Sequence, residues 1–432
     1  MIDHEAVPIL GIPGIEELGL LKRVYSMECG DPLQKILDEY EDVFKGLGKI
    51  KNVHHTIQLK DDARPIIHAP RRIPVSLRQP LKEELDRMVK SDVIIKIDKP
   101  TDWVNSMVIV KKKNNKLRIC LDPSSLNKAI RREHFPLQTI EEVASRMPAA
   151  KYFTVLDANH GYWQVCLSEE SIELCTFNTP YGRYAFKRLP FGICSAGEVF
   201  QKLMVQIFGG TEGVEVIVDD LLVWGTTRSE HDQRLREVLQ RAREHNIRLN
   251  PDKSQICKTS VTYVGHTLSG EGLTPDKRKI EAIEKMNYST SKEELQRYLG
   301  IITYLSKFIP NMSKLSSPLR ELLEKNVEFH WHEQHSTSFD QLKRAITTAP
   351  VLRYFDSKLP IVLSGNASSK GLGAVILQES RPVAYASRAL SKSECNYAQI
   401  EKETLAIAFA CKRFHDYLYG HECTLYFCGF FI

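Results

Sequence analysis

An α+β multidomain protein is what this sequence predicts, and three observations carry the prediction. The chain runs to 432 residues, about three times the common domain length, so several cores are needed. Its middle alternates β-rich runs with helical periodicity. A later stretch carries helical periodicity alone before strands return. Apolar residues at 42% and charged residues at 26% are the fractions of a packing chain, which excludes a wholly disordered, collagenous or coiled-coil protein. No apolar run reaches about 18 residues, and the opening MIDHEAVPILGIPG lacks a basic leader, so no membrane span or secretory signal is expected. A soluble, intracellular chain follows, with cytoplasm or nucleus left open. The ten cysteines are scattered without a CxxC pair and read as buried or idle thiols rather than zinc knuckles or disulfides.

Taken in order, residues 1–24 are Pro/Gly-punctuated and too short to fold alone. Residues 25–91 form a lead-in. Within it Leu33, Ile36, Leu37, Tyr40 and Phe44 keep helical spacing, the stretch ARPIIHAPRRIP is extended, and a second helix is expected at about 77–91. Residues 92–268 make the main block, with strands in VNSMVIVKK, KLRICLD, KYFTVLD, EVIVDDLLVW and SVTYVGHTL. Helices EVFQKLMVQIF and SEHDQRLREVLQRAREHN lie between them, the second expected to be capped by Ser229 and Asp232. Residues 269–350 are a helical connector, in which Ser291 to Glu294 reads as a capping box for a helix through Phe308, and Pro318 as the first residue of another. From 351 to 432 a second α/β unit begins, with strands in LPIVLSG, GAVILQES, RPVAYASRAL and TLYFCGFFI and a helix from about Asn396 to Tyr417.

Charge is unevenly placed. Residues 61–135 hold 17 Lys and Arg against 10 Asp and Glu, whereas the whole chain nets only +5. A basic region of this kind suits a polyanion such as nucleic acid, although most charge runs are merely solvated faces.

The chemistry centres on Asp219-Asp220 in EVIVDDLLVWG, a hairpin pattern with two carboxylates at its tip. Aspartates in turns are ordinarily solvated. Here Val216, Val218, Leu221, Leu222 and Val223 flank them, so the strands should be buried and something must offset the repulsion. Asp157 ends another apolar strand, and three such carboxylates could hold two Mg²⁺ ions, the arrangement that serves nucleotidyl transfer.

At this point a resemblance becomes visible. The segments KLRICLDPSSLNKAIRREHFPL, YFTVLDANHGYWQV, FNTPYGRYAFKRLPFGICSAGEVFQ, VIVDDLLVWG, VGHTLSGEGLTPDKRKIEAI and PVAYASRALSKSECNYAQIEKETLAIAFACKRF resemble, in order, the polymerase region of gypsy-class LTR retrotransposon Pol polyproteins. The resemblance covers about 40–420 and implies a right-hand polymerase at 92–268 (fingers and palm), a thumb or connection at 269–350, and a truncated RNase H-like α/β domain at 351–432. It also implies that 1–24 is a remnant of an aspartic protease tail; no Asp-Thr/Ser-Gly triplet is present, so no protease activity is expected.

By this resemblance Asp157, Asp219 and Asp220 are the catalytic carboxylates and bind two Mg²⁺ or Mn²⁺ ions. Tyr162 lies beneath the incoming sugar and excludes a 2′-hydroxyl, while Trp163 goes to the core; packing of both rings in the core is the alternative. Arg118 grips the triphosphate. Phe191 contacts nucleotide and template or else fills core. Val264, Gly265 and His266 form the primer-gripping hairpin. Departures from the family pattern are Ile217 for a tyrosine, Gly197 for a proline and Ser124 for a longer polar side chain. In the RNase H-like part Glu403 is retained, but Asn366 and Cys428 stand where aspartates belong, so that activity is expected to be defective. The implied partners are an RNA or DNA template with its primer, and dNTPs. The leading expectation is an RNA-directed DNA polymerase, and the alternative is a catalytically dead, element-derived protein that binds nucleic acid. Oligomeric state is not legible.

Overall fold

The computed structural model describes residues 32–111 and 117–427; the segment 1–24, the tip Lys112 to Lys116 and Cys428 lie outside it. Residues 32–41 belong to a first unit, and everything from Asp42 onward to a second. The helix expected to reach Phe44 is Pro32–Glu39, with a separate 3-10 turn at Glu41–Phe44.

In the second unit, helix Val75–Lys90 buries Leu81, Leu85 and Met88, spaced four and three apart on one face. It leads into strand Ile94–Ile97, which pairs with Gly182–Phe186 and through it with Thr176–Thr179. The hairpin Ser106–Lys111 and Leu117–Asp122 stands beside this sheet.

The central sheet has four antiparallel strands in the order Leu249–Lys258, Tyr152–Ala158, Asp220–Gly225 and Val214–Ile217. Phe153, Leu156, Leu221, Leu222 and Val223 are each 0% exposed, so both faces are covered, as the apolar runs require. Helices Ala196–Phe208 and Arg228–Glu244 do part of that covering. The second is capped two residues earlier than expected. Thr227 is the last extended residue, and its hydroxyl and the Glu230 carboxylate form the reciprocal cap, while Ser229 and Asp232 lie inside the helix. Asp232 instead takes a hydrogen bond from His231 Nδ1 at 2.9 Å, and His231 Nε2 lies 2.8 Å from Thr154 Oγ1. The buried imidazole thus has both nitrogens satisfied by protein, and a structural role follows.

After a three-stranded meander, Ser260–Tyr263, His266–Ser269 and Gly272–Pro275, helices Lys277–Glu284, Lys292–Tyr304, Met312–Glu321 and Glu333–Thr347 follow. One core joins them to the central sheet: Phe153, Val155, Leu222 and Trp224 share it with Tyr263, Leu299, Phe308 and Phe339. The helix expected through Phe308 stops at Tyr304 and tightens into a 3-10 turn at Ser306–Phe308. Its cap is split. Ser291 accepts from the Glu294 N–H, but the Glu294 carboxylate accepts from Thr290 N–H rather than from Ser291. Pro318 does not open a helix; it lies within Met312–Glu321. Lys314, whose carbonyl the proline leaves unpaired, is exposed, so water can take that bond.

The last sheet orders Arg381–Ala389, Gly371–Gln378, Ile361–Ala367 and Cys423–Phe427, the final pair being parallel. A parallel return needs a crossover, and helix Gln399–Arg413 supplies it across the sheet. Among the described residues no helix is long and apolar enough to cross a membrane.

Candidate active site

The hairpin at the centre of the sheet has a two-residue turn, Val218-Asp219, closed by the pair Ile217 and Asp220. Val218 takes φ +51°, a conformation that a β-branched residue adopts only under constraint. Gln201 supplies the constraint. Its side chain is fully buried, its amide donates to the Val216 carbonyl at 2.9 Å, and its oxygen accepts the Val218 N–H. Across the neighbouring strand Asp220 is paired in register with Asp157, so their side chains share a face. Asp219 Oδ1 is shielded from solvent and has no hydrogen-bond partner among the described residues. Gly161 leaves room for it, since a Cβ there would stand 3.0 Å from that oxygen and 2.9 Å from Phe200.

Burial, then the charge of Asp157, pushes Asp219 and Asp220 up to about 6. Lys253 partly relieves both: its Nζ sits 3.0 and 2.9 Å from the two oxygens of Asp157. The strand Leu249–Lys258 is irregular between Asn250 and Gln255, and that break brings the ammonium over its neighbour. Three clustered carboxylates, an orphaned buried oxygen and an ammonium in the position of a cation are the donor set and charge deficit that fit Mg²⁺ or Mn²⁺.

Beside the carboxylates lies an aromatic floor. Tyr162 is half-buried on the 3-10 turn Gly161–Gln164, whereas Trp163 is 2% exposed. The two rings thus differ in burial, and they part by a helical turn rather than by strand alternation. Tyr162 lies 5.0 Å from Phe191 and 5.7 Å from Phe200 between ring centroids. Its hydroxyl is pushed up to about 12 by burial and then by the charge of Asp219. Arg118 Cζ stands 5.1 Å from the Phe191 ring centroid, within cation–π range, and its charge in turn lowers Asp219. Arg118, Phe191, Tyr162 and Asp219 thus line one side of the site. Gly197 borders it, and a Cβ there would meet the Tyr162 hydroxyl at an ordinary 3.6 Å.

Residues 110–268 match the family model described as reverse transcriptase (RNA-dependent DNA polymerase), and 331–425 match an RNase H-like domain found in reverse transcriptase. The chain therefore carries a reverse transcriptase domain followed by an RNase H-like one. Over 425 residues it is 30% identical to the retrovirus-related Pol polyprotein from transposon 412 of Drosophila melanogaster, a match that covers 94% of this chain and 34% of that protein. The transposon Tf2-3 polyprotein of Schizosaccharomyces pombe is 30% identical over 380 residues, covering 85% of this chain and 28% of its own length. The chain thus spans about a third of the curated relatives it matches. In fold it resembles the foamy viral protease-reverse transcriptase solved with double-stranded DNA (TM-score 0.86, 22% identity, 98% of this chain and 76% of that one) and with an RNA/DNA hybrid (TM-score 0.82, 22% identity, 98% and 58%).

A second hairpin adjoins the carboxylates, because the Tyr263 hydroxyl donates to the Asp220 carbonyl at 3.3 Å. Its turn is Val264-Gly265, with φ +45° and +71°, the mirror-image turn that favours glycine second. A Cβ on Gly265 would collide with Lys279 Nζ at 2.3 Å. Tyr304 donates to the Val264 carbonyl at 2.8 Å, and His266 Nδ1 lies 2.9 Å from the same oxygen. Burial and Lys307 push His266 down to about 4, so the ring is neutral at pH 7 and its Nδ1–H donates. In the RNase H-like domain, Gln399 Nε2 donates both to Glu403 at 2.7 Å and to the Ala367 carbonyl at 3.1 Å. Asn366, one residue before Ala367, is exposed and borders a small cavity with Asn311 and Ser313. No contact joins Asn366 to Glu403 among those described.

Three side chains that the sequence did not single out shape the carboxylate site: Lys253, Gln201 and Asn127. Asn127 Nδ2 donates to the Gly192 carbonyl at 2.9 Å and its oxygen accepts from Cys194 N–H at 2.9 Å; it fixes the loop that carries Phe191. The basic surplus of 61–135 is partly engaged within the chain, as in Arg71 with Asp122, Lys99 with Glu173 and Arg132 with Glu198.

Proposed function

We propose that this chain is an RNA-directed DNA polymerase whose central sheet is the palm, with Asp157, Asp219 and Asp220 holding two Mg²⁺ or Mn²⁺ ions. The single observation that supports this most is the convergence of the three carboxylates around an orphaned, buried oxygen with Lys253 in contact. When bound, such ions activate a primer 3′-hydroxyl and neutralise the leaving pyrophosphate. Arg118 offers a guanidinium fork to the triphosphate. Phe191 and Tyr162 bound the space for the incoming sugar and base, and the Val264 to His266 hairpin presents a closely approachable backbone to the primer. Residues 92–268 act as fingers and palm, 269–350 as thumb or connection, and 351–432 as an RNase H-like part. Template, primer and dNTPs are the partners, and primer extension by the purified chain is the test.

Tyr162→Ala is expected to raise ribonucleotide relative to deoxyribonucleotide incorporation by about tenfold or more, because the emptied ring volume admits a 2′-hydroxyl. Competitive single-nucleotide insertion reads this, and unchanged sugar preference would return the ring to the core. Lys253→Gln is expected to tighten Mn²⁺ binding in the absence of substrate by about two- to fivefold, the worth of an exposed ion pair that the metal must displace. Lys253 is 62% exposed, which keeps the effect small. Electron paramagnetic resonance titration of free Mn²⁺ measures it, and equal or weaker binding would show that the ammonium does not compete.

A further inference from the structure

Between helices Met312–Glu321 and Glu333–Thr347 the chain passes through residues 322–332. Phe329 and Trp331 pack against the large core, and Trp331 Nε1 donates to Ser336 Oγ at 2.9 Å. The intervening residues Glu328, His330 and His332 are exposed, so the segment alternates inward aromatics with outward donors. These three face a cavity of about 580 Å³ that Glu321, Glu324 and His335 also line, with no Lys or Arg among its lining residues. His330 Nε2 lies 3.2 Å from Glu328 Oε2, and the rings of His330 and His332 are 6.5 Å apart between centroids.

Two other groups around the cavity are already committed. His335 is 3% exposed and its Nδ1 accepts the His332 N–H at 2.9 Å. Glu321 accepts from Ser317 at 3.2 Å and pairs with Lys370 at 3.4 Å. Lys292 reaches this loop, but its ammonium donates to the carbonyls of Glu324 and Val327 at 2.9 and 2.7 Å and so fixes the loop's course.

We propose that Glu328, His330 and His332 form a site for one divalent transition-metal ion of the zinc class, in a cavity that Glu324 also lines. Two imidazoles and a carboxylate are a donor set for Zn²⁺, whereas Mg²⁺ takes oxygens. A His-x-His pair on an extended segment turns both rings to one side. His330 is 63% exposed, and an ion shared with His332 requires the two rings to come closer than their present 6.5 Å. The bound ion would tie the loop between the two helices.

The untagged full-length protein, stripped with a chelator and held in Mg²⁺ to keep the polymerase carboxylates occupied, is titrated with Zn²⁺ against a chromophoric indicator. The unmutated chain is expected to hold one more tight equivalent than the His330→Gln/His332→Gln variant, and Glu328→Gln to weaken that equivalent by about tenfold or more. His415→Gln, which alters an imidazole 64% exposed elsewhere, is expected to keep it. Both site histidines are on the surface, so unfolding midpoints without zinc should match, and added zinc should raise the midpoint of the unmutated chain alone. Equal zinc content, or an equal zinc-induced rise, in the unmutated chain and the double variant would overturn the site.

Discussion

Asp219→Asn is expected to cut primer extension by about 100-fold or more, beyond what losing a group that merely hydrogen-bonds a metal ligand costs, while making the metal-free protein more stable. The two effects share a cause. Asp219 is raised from 3.8 to about 6 by burial first and by its acidic neighbours second. A carboxyl whose folded value exceeds its unfolded one opposes folding once pH passes the unfolded value, and the penalty is complete above the folded one. At pH 7 the asparagine removes that penalty, a gain of about 1–2 kcal/mol, and the difference should shrink as pH falls toward 4. Urea unfolding in chelator at pH 7 and pH 4, beside a primer-extension assay, measures both. A variant that extends primers normally, or one that is inactive because it unfolds, contradicts the assignment.

The second large effect is an absence. The chain is expected to show no RNA cleavage on an RNA·DNA hybrid in Mg²⁺ or Mn²⁺, and Glu403→Gln is expected to change nothing. Asn366 offers an amide where a carboxylate is needed, and Glu403 is engaged with Gln399 at 2.7 Å. One carboxylate does not hold two ions. The third position of the family pattern, Cys428, lies outside the described residues and is not a carboxylate in any case. Cleavage that depends on metal and disappears with Glu403→Gln would show that the domain retains a working site.

What could be read from the sequence, and what could not, follows from the range of the forces involved. The carboxylate hairpin was legible because Val216 and Leu221 to Val223 flank it as uninterrupted apolar residues, and only buried strands need that pattern. Gln201 was not: in EVFQKLMVQIF it reads as a polar position on an amphipathic helix, and only the approach of the strained Val218 turn shows why an amide is buried there. Lys253 sits 96 residues from Asp157, and it arrives through a break in strand pairing that leaves no local signal. The choice of Thr227 over Ser229 as the helix cap depended on where the preceding strand ends, which is set by the sheet. Both residues carry the same capping chemistry.

The central claim is templated DNA synthesis at Asp157, Asp219 and Asp220. Its most direct measurement is incorporation of deoxythymidine triphosphate on poly(rA)·oligo(dT) by the purified chain with Mg²⁺ or Mn²⁺. Metal-dependent extension along the template, absent from Asp219→Asn, is the expected result. Duplex binding by a folded, unmutated chain that adds no nucleotide with either metal would contradict it, and would leave a nucleic-acid-binding protein without polymerase chemistry.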